Sequence, residues 1–157
     1  MPRLLVVTTA VAVAAVCITL AAGAGAGLEM KPLKQGGFKT TFGVFREGSG
    51  DYGVKDGDKV TVMATGLLKA GNKKFWSTAD ANEYPFTFEV GAGAVVAGLD
   101  AGVLGMREGE LRKLEIPAAE AYGEKGDAEW KIPPHADLIF VIELQSIKKK
   151  GHGVTTH

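Results

Sequence analysis

Residues 105–144 read GMREGELRKLEIPAAEAYGEKGDAEWKIPPHADLIFVIEL. Two runs in this stretch have the character of strands. In the first, Leu111, Lys113 and Glu115 alternate with Arg112, Leu114 and Ile116, and an extended chain sends successive side chains to opposite faces. The second, from Asp137 to Ile147, is dense in Leu, Ile, Phe and Val, residues favoured on a pleated surface. A long loop bearing Gly and Pro joins them, with Tyr122 and Ile132 at its two ends. Pro117 opens a short turn or helical piece over Ala118 to Ala121.

Working back toward the N-terminus, Phe86, Phe88 and Val90 alternate with Thr87 and Glu89, as in a half-buried strand. Lys59 to Leu68 reads as another strand, Ala70-Gly71-Asn72 as a hairpin break, and Lys73 to Trp76 as resumed extended chain. Phe38, Thr40, Phe42 and Val44 suggest a first strand. The period changes between Ala94 and Met106, where Val96, Leu99, Val103 and Met106 fall on one face of a helix. Gly98 and Gly102 lower its intrinsic propensity, so this helix has to lean on packing. Gly105 fits its stop. Several strands with one amphipathic helix across them predict an α+β domain built on an antiparallel sheet.

A chain of 157 residues accommodates one domain with short appendages. Eighteen Lys and Arg balance eighteen Asp and Glu. No basic stripe interleaved with aromatics is present, so nothing points to a nucleic-acid partner. The first 26 residues differ from the rest. Arg3 precedes an apolar run from Leu4 to Ala22, and small residues follow at Gly23-Ala24-Gly25-Ala26. This pattern reads as a secretory signal peptide cut after Ala24 or Ala26. The alternative is a retained membrane anchor, because the run approaches the roughly 18–20 residues that a span needs. The expected organisation is a leader at 1–26, a lead-in with the first strand at 27–56, the main domain at 57–147 and a polar tail at 148–157. The expected location is the secretory pathway, either the endoplasmic reticulum lumen or the exterior, with an organellar lumen or membrane anchoring as alternatives.

Cys17 is the single cysteine and lies in the leader, which excludes a disulfide scaffold or a cysteine nucleophile in the mature domain. His135, His152 and His157 are too few and too badly spaced for a metal site. Gly91 to Val95 lacks the Lys-Ser/Thr of a phosphate loop. Ser77 and Thr78 have no histidine at an activating spacing. Glu108, Glu110 and Glu115 read most simply as solvated charges beside a strand. No metal and no cofactor is expected.

From about Gly57 to Ile147 the chain resembles the FK506-binding-protein domain, a peptidyl-prolyl isomerase module. The marks, in order, are GDKVTVMATGLL, KKF, PFTFEVG, VVAGLDAGVLGMREGELRKLEIP, AYGEKG and IPPHADLIFVIEL. GVLGMREGELRKLEIP is most like the small single-domain secretory members. The resemblance implies an antiparallel sheet curled around one short helix, with a pocket between the two. It places Phe75 and Phe86 on the sheet side of that pocket, Val95 and Val96 at the helix entrance, and Leu99 on the floor. Tyr122 and Ile132 come from the long loop and Phe140 from the last strand, and these three form the catalytic set. Trp130, on the same loop, is either a substrate or partner contact or a partly buried loop anchor. The implied reaction is rotation about an X-Pro bond in a polypeptide substrate, with the Tyr122 hydroxyl and the Ile132 backbone N–H bonding substrate carbonyls. A monomer, or a subunit of a larger complex, is the expected state.

Three positions depart from the family pattern: Ala64 stands where Tyr is usual, Trp76 where Asp is usual, and Leu99 where Trp is usual. They weaken the expectation of FK506-like macrolide binding more than that of isomerisation. They also leave an alternative open, a catalytically weak or inactive interaction or chaperone subunit on the same scaffold.

Overall fold

The computed structural model describes residues 27–81 and 83–151. The leader, Cys17, His152 and His157 lie outside the described residues. Among the described residues, no helix is long and apolar enough to cross a membrane.

Seven strands form one antiparallel sheet. In chain order these are β1 (Lys31–Pro32), β2 (Thr41–Arg46), β3 (Lys59–Leu68), β4 (Lys73–Ser77), β5 (Phe86–Glu89), β6 (Leu111–Ile116) and β7 (Leu138–Lys148), with one α-helix among the described residues, α1 (Ala97–Gly102), between β5 and β6. The order across the sheet is β1-β2-β6-β7-β3-β4, and β5 also pairs with β3. Strand β7 is central, and its period of two sorts the core. Leu138, Phe140, Ile142 and Leu144 join the main cluster with Leu99 and Val103. Ile139 and Val141 join Leu67 and Leu111 in a second cluster.

The predicted strands and the curled α+β architecture are present, with shifted ends. Strand β2 begins at Thr41, because the amides of Lys39 and Thr40 are taken by the Glu120 carboxylate, leaving the ladder to start after them. The last strand runs one residue into the expected tail, to Lys148. Beyond it the Lys150 amide donates to Asp58 Oδ1 at 2.8 Å. Asp58 also accepts from the Tyr52 hydroxyl at 2.9 Å and the Lys55 amide at 3.0 Å. Burial pushes the Asp58 carboxyl up, but these hydrogen bonds outweigh it and hold the group below the usual carboxylate range.

The helix is shorter than its periodic pattern, six residues from Ala97 to Gly102. Its two glycines explain how so short a helix persists. A methyl group at Gly98 would stand 2.4 Å from Ile116 Cγ2 and 2.6 Å from Thr40 Oγ1, and one at Gly102 would stand 2.4 Å from Leu114 Cδ1. The missing Cβ atoms let the helix backbone settle directly on β6, and that contact replaces propensity. Gly98→Ala is therefore expected to destabilise the protein. Overpacking against the stiff, fully buried Ile116 costs about 1–3 kcal/mol, against a propensity gain of about 1 kcal/mol. Urea denaturation should show a lower midpoint at unchanged slope. An equal or higher midpoint would show that the contact is not tight.

The helix end is held from the sheet. Arg112 on β6 donates from Nη1 to the carbonyls of Gly102 (2.9 Å) and Leu104 (3.2 Å), satisfying groups that a helix terminus leaves open. Its guanidinium lies 4.5 Å from the Phe42 ring centroid, and Nη2 is 2.8 Å from Glu110 Oε2. Both side chains are buried, with 7% and 4% exposed. The expectation that Glu110 is solvated is thus corrected: it is the counter-charge of a buried arginine. Burial pushes its carboxyl up, with Arg112 pulling the other way. Glu115 is partly buried between Lys69 and Lys113, at 3.0 and 2.8 Å. Glu108 accepts the Ile147 amide at 2.8 Å.

Candidate functional site

A cavity of about 350 Å³ opens between α1 and the sheet. This is near the small end of ligand pockets, which run from about 300 to 1,000 Å³. Its depth is apolar: Val62, Ala64, Leu99 and Phe140 line it, and all four are buried. The small Ala64 and Leu99 are part of this floor, which leaves room where larger aromatics would stand.

Strand β4 supplies two consecutive lining residues, Phe75 and Trp76. Regular pleating would point them to opposite faces. The β3–β4 register jumps from Gly66↔Trp76 to Leu67↔Lys74, so Phe75 is the extra residue of a bulge and both rings reach the cavity. Phe75 meets Phe140 edge-to-face at 5.9 Å. Gly66 makes that pair possible, since a Cβ there would lie 2.5 Å from Phe75 Cζ and 3.0 Å from Phe140 Cε1.

Aromatic side chains continue onto the rim. Trp76 contacts Phe86 and Trp130 edge-to-face, each at 6.4 Å. Trp130 is 36% exposed and lines the cavity, so it is a rim residue as well as a loop anchor. The structure thus brings Phe75, Phe86, Val95, Val96, Leu99, Tyr122, Trp130 and Phe140 around one space.

Ile132 is the exception. Its side chain is 3% exposed and packs in the core, and it is not part of the cavity lining. Its N–H donates to the Asp127 carbonyl at 2.7 Å, and the Asp127 N–H returns a bond to the Ile132 carbonyl at 2.9 Å. The expected donor to a substrate carbonyl is therefore already engaged in closing the loop. The same closure orders Trp130, whose amide donates to Asp127 Oδ1 at 3.0 Å.

Two donors without a partner among the described residues belong to residues that line the cavity. Val96 caps α1 with φ −57° and ψ 146°. Its carbonyl accepts from Leu99 and Asp100, while among the described residues its own N–H has no acceptor. The sequence marked Val96 for its side chain, but periodicity carries no information about an unpaired amide at a helix start. Tyr122 is half-buried, and its hydroxyl has no hydrogen-bond partner among the described residues. Burial, with the Asp127 carboxylate adding to it, raises its pKa and keeps the proton on the phenol. Glu120, two residues earlier, fixes this segment by accepting the Lys39 amide (2.5 Å), the Thr40 amide (2.9 Å) and the Thr40 hydroxyl.

Among the described residues, no activated nucleophile accompanies these groups. The Ser77 hydroxyl is bonded to Thr65 Oγ1 at 2.8 Å, and Thr78 Oγ1 accepts the Ala64 amide at 3.0 Å, so both hydroxyls fasten β4 to β3.

Comparison with known proteins agrees with this arrangement. The peptidyl-prolyl cis-trans isomerase FKBP12 of Arabidopsis thaliana is 43% identical over 107 residues, 67% of this chain and 95% of that protein. The peptidyl-prolyl cis-trans isomerase FPR2 of Saccharomyces cerevisiae is 48% identical over 92 residues, 59% of this chain and 67% of that protein. Among solved structures, the N-terminal domain of FKBP42 from Arabidopsis thaliana superposes with a TM-score of 0.69 at 24% identity, covering 77% of this chain and 93% of that one, and so shares the fold. Residues 50–145 match the family described as FKBP-type peptidyl-prolyl cis-trans isomerase, and the chain belongs to that family and is an isomerase of this type.

Proposed function

We propose that the cavity holds the proline ring of an X-Pro segment while the adjoining amide rotates, and that the clients are proteins folding in the secretory pathway. One observation carries the reading of the site. An apolar, aromatic-walled cavity has two unengaged donors, the Val96 N–H and the Tyr122 hydroxyl, among its lining groups.

Amide resonance sets a rotation barrier of roughly 18–20 kcal/mol, and unaided X-Pro isomerisation takes tens to hundreds of seconds. A twisted amide has lost much of its charge separation, so apolar surroundings disfavour it less than the planar form. Phe75, Phe86, Leu99 and Phe140 supply those surroundings. The two donors hold the substrate carbonyls while the C–N bond turns. The acceleration then comes from binding the twisted form better than the planar one, with no covalent step. Ile132 and Phe140 support the site from the core side, Ile132 by closing the loop that carries Trp130. FK506-like macrolides would meet the altered floor at Ala64 and Leu99 and the altered rim at Trp76, and their binding is expected to be weaker than in family members that keep the usual residues.

The leader-like sequence at residues 1–26 supports the secretory assignment, and the unit delivered would be the chain after the leader, which carries all seven strands of the sheet. Two measurements test the proposal. The full chain should accelerate cis-to-trans isomerisation of a short X-Pro peptide, and a rate equal to the spontaneous one would sink the isomerase reading of the site. The mature protein should begin near Gly25 or Gly27, whereas a chain beginning at Met1 or Pro2 rules out cleavage.

A further inference from the structure

Among the described residues that line the cavity, Glu83 is the only carboxylate and there is no cation. Glu83 is exposed, and its carboxylate takes part in no ion pair among the described residues. It shares the lining with Trp76, Phe86 and Trp130. The Trp76–Trp130 contact is edge-to-face, with 76° between the planes. Such a contact leaves the faces of the ring that supplies the edge uncovered by its partner. Of the two lysines on β4, Lys74 is paired with Asp80, and neither lines the cavity. On the loop that presents Trp130, the acids Glu124, Asp127 and Glu129 outnumber Lys125 and Lys131.

A carboxylate free of ion pairs on the same cavity rim as two partly exposed indoles is a cation-recognition set. A Lys or Arg head within about 6 Å of a ring centroid is drawn to the ring face, most strongly for tryptophan, and Arg also stacks on it. A residue bonded to the proline has its Cα only about 3.8 Å from that of the ring, so its side chain falls on this rim when the ring is in the cavity. We infer that Glu83, Trp76 and Trp130 make the enzyme selective for X-Pro segments with a lysine or arginine next to the proline. The inference rests on the proposed seating of the proline ring. It assigns Trp76 and Trp130 a role that plain core packing would not give them, since both stay partly exposed.

The test uses the full chain and two peptide series, one varying the residue before proline and one varying the residue after it, each with Arg, Lys, Leu and Glu. In at least one series, kcat/KM for Arg or Lys should exceed that for Glu by about five- to tenfold, the combined worth of an exposed cation–π contact and an exposed ion pair. The ratio should shrink as salt is raised, because the charges are solvent-exposed. Glu83→Gln should reduce the Lys-to-Glu ratio by about threefold, and Trp130→Leu should reduce the Arg-to-Leu ratio. Glu89→Gln, an exposed β5 carboxylate outside the cavity, should leave the ratios as they are. Equal acceleration of all peptides in both series would overturn the selectivity while leaving the isomerase intact. Acceleration of none would overturn the seating of proline and the selectivity with it. A preference for Arg and Lys that survives Glu83→Gln and Trp130→Leu unchanged would overturn the assignment to this rim.

Discussion

An Arg112→Met chain is expected to lose about 3–5 kcal/mol of stability, the usual result of removing one partner from a buried ion pair. Three effects coincide at this residue. Glu110 is left as a buried carboxylate without its counter-charge, 2.8 Å from where Nη2 stood. The carbonyls of Gly102 and Leu104 lose their donor. Phe42 loses the guanidinium over its ring. A domain stability of about 5–15 kcal/mol would be reduced by a large fraction. The double variant Glu110→Leu/Arg112→Met should recover much of the loss, because buried pairs replaced by apolar groups of similar volume are often neutral or better. Urea denaturation of the parent, both single variants and the double variant measures this directly. A loss under about 1 kcal/mol for Arg112→Met would mean that water reaches the pair as it reaches an exposed one.

The largest single-site effects on activity are expected from deleting either donor, and Val96→Pro deletes the first. Proline requires φ near −65° and has no N–H. Val96 already has φ −57°, so the exchange deletes the donor while asking little of the backbone and keeping an apolar side chain. Loss of one neutral hydrogen bond of about 0.5–1.5 kcal/mol corresponds to roughly tenfold in kcat/KM at its upper end. Tyr122→Phe deletes the other donor at a similar cost of roughly tenfold, and the two together should approach a hundredfold if they act on separate carbonyls. Val96→Ala is the comparison that isolates the amide, since it trims the wall but keeps the N–H. If Val96→Pro were no slower than Val96→Ala, the amide would have no part in the reaction.

The residues that carried the fold in the sequence were those whose side chains alternate or repeat. Leu138, Phe140, Ile142 and Leu144 announced the central strand, and Arg112, Leu114 and Ile116 the face of β6 that meets the helix. The helix was legible as an element and over-long as a span, because Met106 keeps the apolar spacing although the last i→i−4 bond is the one from the Val103 amide to the Leu99 carbonyl. The apolar cavity wall was legible for the same reason as the core. Its polar half was not. A free amide at Val96 and an engaged one at Ile132 are decided by backbone geometry that side-chain identity does not encode. Glu110 sits just before a strand and reads as solvated until the fold brings Arg112 beside it. The contact between Trp76 and Trp130 joins β4 to a loop far along the chain, and local pattern is silent on such pairs.

That last contact has a practical side. The chain has two tryptophans, and both stand at the mouth of the cavity, in contact with each other. Intrinsic tryptophan emission from this protein therefore reports on one place. A peptide entering the cavity displaces water from both indoles at once, while events elsewhere in the domain have no indole of their own to perturb. Occupancy can be followed on the unlabelled chain by its own light, with no competing signal from the core.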